Sequence, residues 1–390
     1  MAQSSRPFEG LRVVEAGIAL AGPFAGSLLA DLGAEVVKVE RPDGGDPMRL
    51  MGPQVDGVPL WWGVGARGKR CVSLDLKSPE GRERFLALVA DADVLIENYR
   101  PGVMDRLGLG WRHLRSINPR LVMLSISGFG QTGPDSGRPG FGKIAEALSG
   151  IVVLTGRPGE TPMHVGFSLA DTSAGLMGCF AISLALYWRD QCGGRGTYID
   201  LALFEPLLRM AECQFALRER FGAPPTRRGT NDPYGWGAPE GRGRRYVTCR
   251  TADDAWVAIC IRDDQKAKLT ELVGGNVGDA PDSLASAVEA WVAGRPLAAV
   301  RDDLRRHGVE AAQVHDGKTL AETPYFLERG DVVHADDPCI GRVVVPSSVP
   351  KFPGAPPLRA FRAAAVGEDN AEIFARLAGG AARPAVASGE

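Results

Sequence analysis

The chain has 390 residues, of which 44% are hydrophobic and 24% charged, with a formal net charge of −2. That length suits two or three domains of ~150 residues each. Acids and bases are interspersed, which excludes the basic footprint of a nucleic-acid-binding protein. The 50 glycines and 28 prolines are spread along the chain and point to many tight turns rather than a disordered protein.

Residues 11 to 126 alternate between strand and helix patterns. Leu11–Glu15 is a short β run, Pro23–Gly33 a helix closing on glycine, and Ala34–Glu40 a second strand. Cys71–Asp75 follows as a strand, and Pro79–Ala90 as a helix with proline in its first turn. Ala92–Glu97 and Leu121–Ile126 complete the set. Strands separated by helices of this length predict right-handed crossovers and a parallel sheet, with ligands bound beyond the carboxyl ends of the strands.

Residues 128–142 (GFGQTGPDSGRPGFG) are too rich in Gly and Pro for regular structure, and a loop this long is usually functional. The stretch Gly166–Gly175 (GFSLADTSAG) then opens an apolar helix, followed by a turn at 193–196, a strand at Thr197–Leu201 and a helix at Phe204–Phe221. Composition shifts at Gly222–Arg245, the expected linker into a second domain. That domain should contain a hairpin (Tyr246–Cys249, Trp256–Ile261), helices near Gln265–Leu272, Leu284–Ala293 and Leu297–His307, and a strand near Ala311. Pro-punctuated chain at Pro338–Pro357 leads to a last helix, Asn370–Leu377, and to a small polar tail expected to be disordered from about residue 379.

The seven cysteines form no CxxC pair, which argues against a disulfide framework or zinc site and for a reducing cytosol. Met1–Gly10 carries no signal-peptide core, and the apolar run Ala174–Trp188 falls short of the ~20 residues that span a bilayer. A soluble cytoplasmic protein with no membrane or nucleic-acid partner is therefore expected.

Local motifs say little. Glycines 17, 22 and 26 after the first strand do not make GxGxxG, although Glu40 ends the second strand where a ribose-binding acid would sit. A nicotinamide-dependent dehydrogenase is weakly supported, and Glu40 and Arg41 read locally as a solvated strand end. The five histidines are isolated, with no HExxH and no GxSxG, which disfavours metal and Ser/His/Asp chemistry. His164 reads as a loop histidine, and Lys77, Arg100 and Arg106 as surface charges. Asp171 reads first as a helix N-cap, because aspartate is among the best residues there.

Seven segments together are more specific. LRVVEAG, GPFAGSLLADLGAEVVKVERPDGGDPMR, GKRCVSLDLKSPEGRERF, DVLIENYRPGVMDRLGLG, SISGFGQTGP, RPGF and GFSLADTSAG resemble, in this order, the family III CoA-transferases, the formyl-CoA and carnitine CoA-transferase group. The resemblance is strong over residues 10–205 and looser to about 380. It implies a large Rossmann-like α/β domain built from 1–205 and a return segment 326–390, a linker helix at 206–225, a smaller α+β domain at 226–325, and a homodimer of interlocked chains. It implies that Asp171 is the nucleophile, and that Leu20, Ala21, Arg41, Leu74, Lys77, Asn98, Tyr99 and Arg106 contact coenzyme A. No permanently bound cofactor is implied; coenzyme A and its thioesters are substrates.

Some positions depart from the family pattern. Leu20 stands where the formyl-CoA enzyme has a glutamine, which disfavours formyl and oxalyl groups and indicates a less polar acyl pocket. The glycine-rich active-site loop has only a modest counterpart at Tyr234–Gly237, so Gly235 and Gly237, with Phe141, complete the expected substrate pocket. The alternative, a 2-methylacyl-CoA racemase-like enzyme, needs a histidine where Phe141 stands, and phenylalanine moves no proton. A CoA-binding protein without activity is the third reading.

The chemistry suits a carboxylate. CoA transfer must conserve the thioester bond energy, and an aspartate nucleophile does so without metal or organic cofactor. A helix N-terminus would favour its ionised form by ~0.3–1 kcal/mol and supply N–H groups for oxyanions.

Overall fold

The structure, a computed structural model, describes residues 6–222, 227, 243–275, 277–278, 283–352, 362 and 364–379. Two compact units emerge. The first draws on Met1–Ile151, His164–Ala211 and Glu328–Glu390, the second on Val152–Met163 and Glu212–Leu327. Residues 152–163 thus fall with the second unit, although sequence alone places them in the large domain.

The first unit is a mixed α/β fold around one parallel sheet. Its strands are β1 (Arg12–Glu15), β2 (Glu35–Glu40), β3 (Lys69–Ser73), β4 (Val94–Glu97), β5 (Val122–Ser127) and β6 (Tyr198–Ala202). They lie in the order β3-β2-β1-β4-β5-β6, all parallel, so the order reverses beside β1. Near-continuous Val, Leu and Ile in β2, β4 and β5 are what burial on both faces demands. The connecting helices include α1 (Ala21–Asp31), α2 (Pro79–Ala90), α3 (Trp111–Ile117), α4 (Gly142–Leu148) and α5 (Leu169–Gln191). Each parallel crossover returns the chain, so the first turns of α1 and α5 open at the carboxyl edge of the sheet.

Helix α5 has 23 residues and is longer than the apolar run read from sequence. Asp171–Ser173 and Arg189–Asp190 are helical too. By length and composition it could cross a bilayer. One side instead lies in the main core with Ala174, Ile182, Ala185 and Leu186. Gly175 brings it onto α1: a Cβ there would sit 2.8 Å from the Phe24 ring and 3.0 Å from the Ala21 carbonyl. Its far end is fixed by the buried pair Arg189–Asp93 at 3.0 Å.

The C-terminal segment covers the β3 edge. Asp369 accepts from the Cys71 amide at 2.7 Å and Asn370 from the Ser73 amide at 2.8 Å, which removes free donors from an edge strand.

The second unit has the antiparallel strands β7 (Arg244–Arg250), β8 (Trp256–Arg262) and β9 (Ala311–Gln313), backed by α6 (Lys266–Leu272), α7 (Ser283–Ala293) and α8 (Leu297–Arg306). Val257, Ile259, Val288, Val292, Val300 and Leu304 form its core. The helix expected over Phe204–Phe221 is two, Glu205–Met210 and Cys213–Phe221, and its break lies where one unit gives way to the other. Back in the first unit, the Pro-punctuated chain starts in the turn of a hairpin of β10 (Val332–Asp337) and β11 (Gly341–Pro346). Pro338 is not a breaker but part of its turn, where the Asp337 carboxylate accepts from the amides of Cys339 and Ile340 at 2.7 and 3.0 Å. The last helix is α9 (Asn370–Ala378). The linker 228–242 and the tail beyond 379 lie outside the described residues.

A buried charge cluster lies inside the first unit. Lys38 Nζ reaches Glu15 at 3.0 Å and Asp46 at 2.8 Å, and Lys69 Nζ reaches the other Glu15 oxygen at 2.8 Å. All four side chains are at most 1% exposed. Burial drives the Lys38 ammonium down, but Glu15 and Asp46 outweigh it and its pKa is raised; burial wins at Lys69, which is lowered. Removing one partner strands the rest. Lys38→Met should cost roughly 3–5 kcal/mol in urea unfolding; a loss below 1 kcal/mol would show that the cluster is not coupled to stability.

Candidate active site

The loops at the carboxyl edge of the sheet enclose a cavity of about 340 Å³. Ile18 after β1, Arg41, Gly45 and Asp46 after β2, Leu74 to Lys77 after β3, and Tyr99 after β4 all line it. Four of the residues expected to contact coenzyme A, namely Arg41, Leu74, Lys77 and Tyr99, are thus brought together. Two are cations: Arg41 and Lys77 are exposed at the rim, with Arg41 Nε donating to the Gly45 carbonyl at 3.1 Å. Cationic side chains beside an apolar floor suit an anionic ligand with an apolar portion.

Asn98 acts differently. Its side chain accepts from the Ile18 amide at 2.7 Å and donates to the Ile18 carbonyl at 2.8 Å, clamping the β1–α1 turn. In that turn Ala19 has φ +58°, a left-handed conformation that costs a non-glycine residue on the order of 1 kcal/mol. Asp46 accepts from the Ala19 amide at 3.1 Å and Lys38 donates to the Gly17 carbonyl at 2.8 Å, so three side chains hold the strained turn. Leu20 lines a second, smaller void with Asp46 and Trp62, and Ala21 packs beneath Gly175. Arg106 is exposed on the short helix Val103–Arg106 and does not line the cavity, although its neighbours Val103 and Leu107 do.

Asp171 is not the N-cap. Ser168 holds that position and Asp171 is the third residue of α5, inside the first turn. The carboxylate rests on the first residue of α4: a Cβ on Gly142 would lie 2.0 Å from Asp171 Oδ2. Burial pushes the Asp171 carboxyl up, its own backbone N–H pulls it back, nearby Glu146 raises it and Lys143 lowers it, with a net rise. The first-turn N–H therefore does not offset burial and Glu146. Phe141, directly before Gly142, is 75% exposed. Gly235 and Gly237, with the rest of Tyr234–Gly237, lie outside the described residues.

Other local readings also change. Glu40 is no solvated strand end but is buried, chelated by Arg49 at 2.7 and 2.8 Å and accepting from the Asp46 amide at 2.8 Å. Both of its carboxylate oxygens are engaged within the protein. His164 is not an ordinary loop histidine, since its Nδ1 lies 2.9 Å from Glu146. Glu146 itself, wholly buried, carries no sequence motif. Its only visible signal is the i,i+3 partner Lys143, at 3.0 Å.

Glu97 ends β4 beneath the same loops. It is buried and accepts from the Tyr99 amide at 2.8 Å. Burial pushes its carboxyl up from 4.5 to about 7, against the hydrogen bonds of Ser125 and Tyr99.

A parallel nucleotide-type sheet, a cavity beyond its strand ends with Arg41 and Lys77 at its rim, and a half-buried carboxylate in a first helical turn suit an α/β enzyme that handles an anionic carrier. The sequence matches the CoA-transferase family III over residues 8–370. It is 34% identical over 385 residues to a succinyl-CoA–D-citramalate CoA-transferase of Chloroflexus aurantiacus, covering 96% of this chain and 94% of that one. It is 34% identical over 366 residues to an acetyl-CoA:oxalate CoA-transferase of Acetobacter aceti, covering 90% and 91%. The crystal structure of a CAIB/BAIF family protein from Brucella suis superposes with a TM-score of 0.83 at 32% identity, over 96% of this chain and 100% of that one. The chain belongs to CoA-transferase family III and is a CoA-transferase enzyme.

Glu97 gives a pH test. The folded state keeps its proton up to about pH 7, whereas the unfolded chain loses it near 4.5. This group therefore lowers stability as pH rises through that window, by roughly 3–4 kcal/mol. Glu97→Gln should remove that part of the slope, so that urea unfolding finds the variant gaining on the wild type between pH 5 and 8. Parallel profiles for the two proteins would show that Glu97 is ionised throughout.

Proposed function

We propose that the chain moves CoA from an acyl-CoA donor to a carboxylic acid acceptor through intermediates on Asp171. The Asp171 carboxylate attacks the thioester carbonyl, the C–S bond breaks, and CoA thiolate leaves a mixed anhydride. The thiolate attacks the aspartyl carbonyl, giving aspartyl-CoA and the donor acid as its carboxylate. The acceptor carboxylate then attacks aspartyl-CoA, and the released thiolate takes the new acyl group, restoring Asp171. No proton is gained or lost, so no general acid is required.

The observation that carries this reading is the Asp171 carboxylate itself. It is half-buried, in a first helical turn and against a residue with no side chain, at the carboxyl edge of the same sheet as the Arg41–Lys77 cavity, whose lining it does not join. Binding of coenzyme A by Arg41, Leu74, Lys77 and Tyr99, with Asn98 and Asp46 shaping the turn at Leu20 and Ala21, fits the lining of that cavity. Succinyl-CoA is the first donor to try, because relatives carry it in their names.

Asp171→Asn should fold, bind CoA and lose at least about a thousandfold in transfer. In the wild type, incubation with succinyl-CoA should leave a hydroxylamine-sensitive adduct on the Asp171 peptide, read by mass spectrometry. Near-wild-type turnover in the variant, or no adduct in a single turnover, overturns the mechanism.

A homodimer accompanies this reading. Leu176, Phe180, Leu184, Tyr187 and Trp188, each more than half exposed, form an apolar stripe along α5 that a second chain would cover. Light scattering of the purified protein should give twice the chain mass, and a monomer at micromolar concentration would refute the dimer.

A further inference from the structure

The wholly buried Glu146 is one of two charged side chains on α4, with Lys143, that act on Asp171, and the transfer chemistry above leaves it unused. It sits one turn along α4 from Gly142, the residue whose Cα supports the Asp171 carboxylate. Its Oε1 accepts from the amide of Leu169, the first residue of α5, at 3.2 Å. Its Oε2 takes His164 Nδ1 at 2.9 Å, and Lys143 Nζ lies 3.0 Å from both oxygens. Lys143 is itself saturated by the Val165 and Phe167 carbonyls at 2.8 and 2.7 Å. One carboxylate therefore ties α4, the segment 164–167 and the first turn of α5 into a single frame around Asp171.

We propose that Glu146 is a positioning residue for the nucleophile, fixing the Asp171 turn against Gly142 and holding a fixed negative charge on that turn. This rests on Asp171 being the nucleophile. Burial pushes the Glu146 carboxyl up, but His164 and Lys143 outweigh it and hold it below its ordinary range, so it stays ionised wherever the enzyme works. As an ionised acceptor it obliges His164 to present Nδ1–H. Among the described residues, the side-chain charges acting on Asp171 are Glu146, which raises its proton affinity, and Lys143, which lowers it. A more basic carboxylate is the better nucleophile toward a thioester carbonyl, and it is lost to protonation at a higher pH.

The test follows the hydroxylamine-trapped Asp171 adduct against pH, with succinyl-CoA, in wild type, Glu146→Gln and Lys143→Gln. Glutamine at 146 keeps an acceptor for Leu169 and removes the charge. The acid limb of adduct formation should move down by about half a pH unit in Glu146→Gln and up in Lys143→Gln, with KM for succinyl-CoA within about twofold of wild type. A purely architectural Glu146 would lower the amount of adduct and leave the limb where it was, and limbs that coincide in all three proteins overturn the proposal. Absence of the adduct from the wild type would instead remove the Asp171 mechanism itself, so the two failures are distinguishable.

Discussion

The site depends on four charges that water does not reach. Glu15, Lys38, Asp46 and Lys69 come from β1, β2, the loop after β2 and β3, and they balance to zero within the first unit. Buried pairs of this kind contribute little net stability compared with apolar residues of the same volume. Their effect is on conformation. Lys38 holds the Gly17 carbonyl, Lys69 holds the Pro23 carbonyl at 2.7 Å and Asp46 holds the Ala19 amide, so the β1–α1 turn keeps a left-handed alanine. That turn presents Leu20 and Ala21, and the same Asp46 lines the Arg41–Lys77 cavity.

At Asp171 two opposing effects meet, and their sizes decide the outcome. A first-turn carboxylate gains ~0.3–1 kcal/mol from the helix end when exposed. Desolvation of a half-buried carboxyl and the neighbouring Glu146 act the other way and prevail. The result is a carboxylate more basic than one on the surface. For the proposed attack on a thioester that suits a nucleophile, since a strongly acidic aspartate would be a poor one.

Much of the first unit was legible in the sequence because its signals are local. Pro79–Ala90 carries its own proline start and Ser78 cap, and structure and sequence agree on its bounds. The strands agree to within two residues, since a doubly buried parallel strand is a continuous apolar run. The β10–β11 hairpin was not legible, because its turn proline looks like an interruption until Asp337 is seen to bond across it. Nor was the start of α5: Ser168 and Asp171 are equally good caps by type, and only the packing of Ala170 and Ala174 into the core sets which turn comes first.

By itself the sequence determined the parallel α/β class and the family through seven ordered segments, and it singled out Asp171 as the candidate nucleophile, because periodicity and motif order survive without knowledge of distant contacts. Tertiary structure alone decided the state of the charges. Glu40 and Lys143–Glu146 are indistinguishable in sequence from solvated surface groups. They become a buried salt bridge and a frame around Asp171 with Glu146 buried at its centre only because Arg49 closes on one, and α5 and His164 close on the other. Burial and charge pairing depend on which segments meet in space, and no local pattern of residues encodes that meeting.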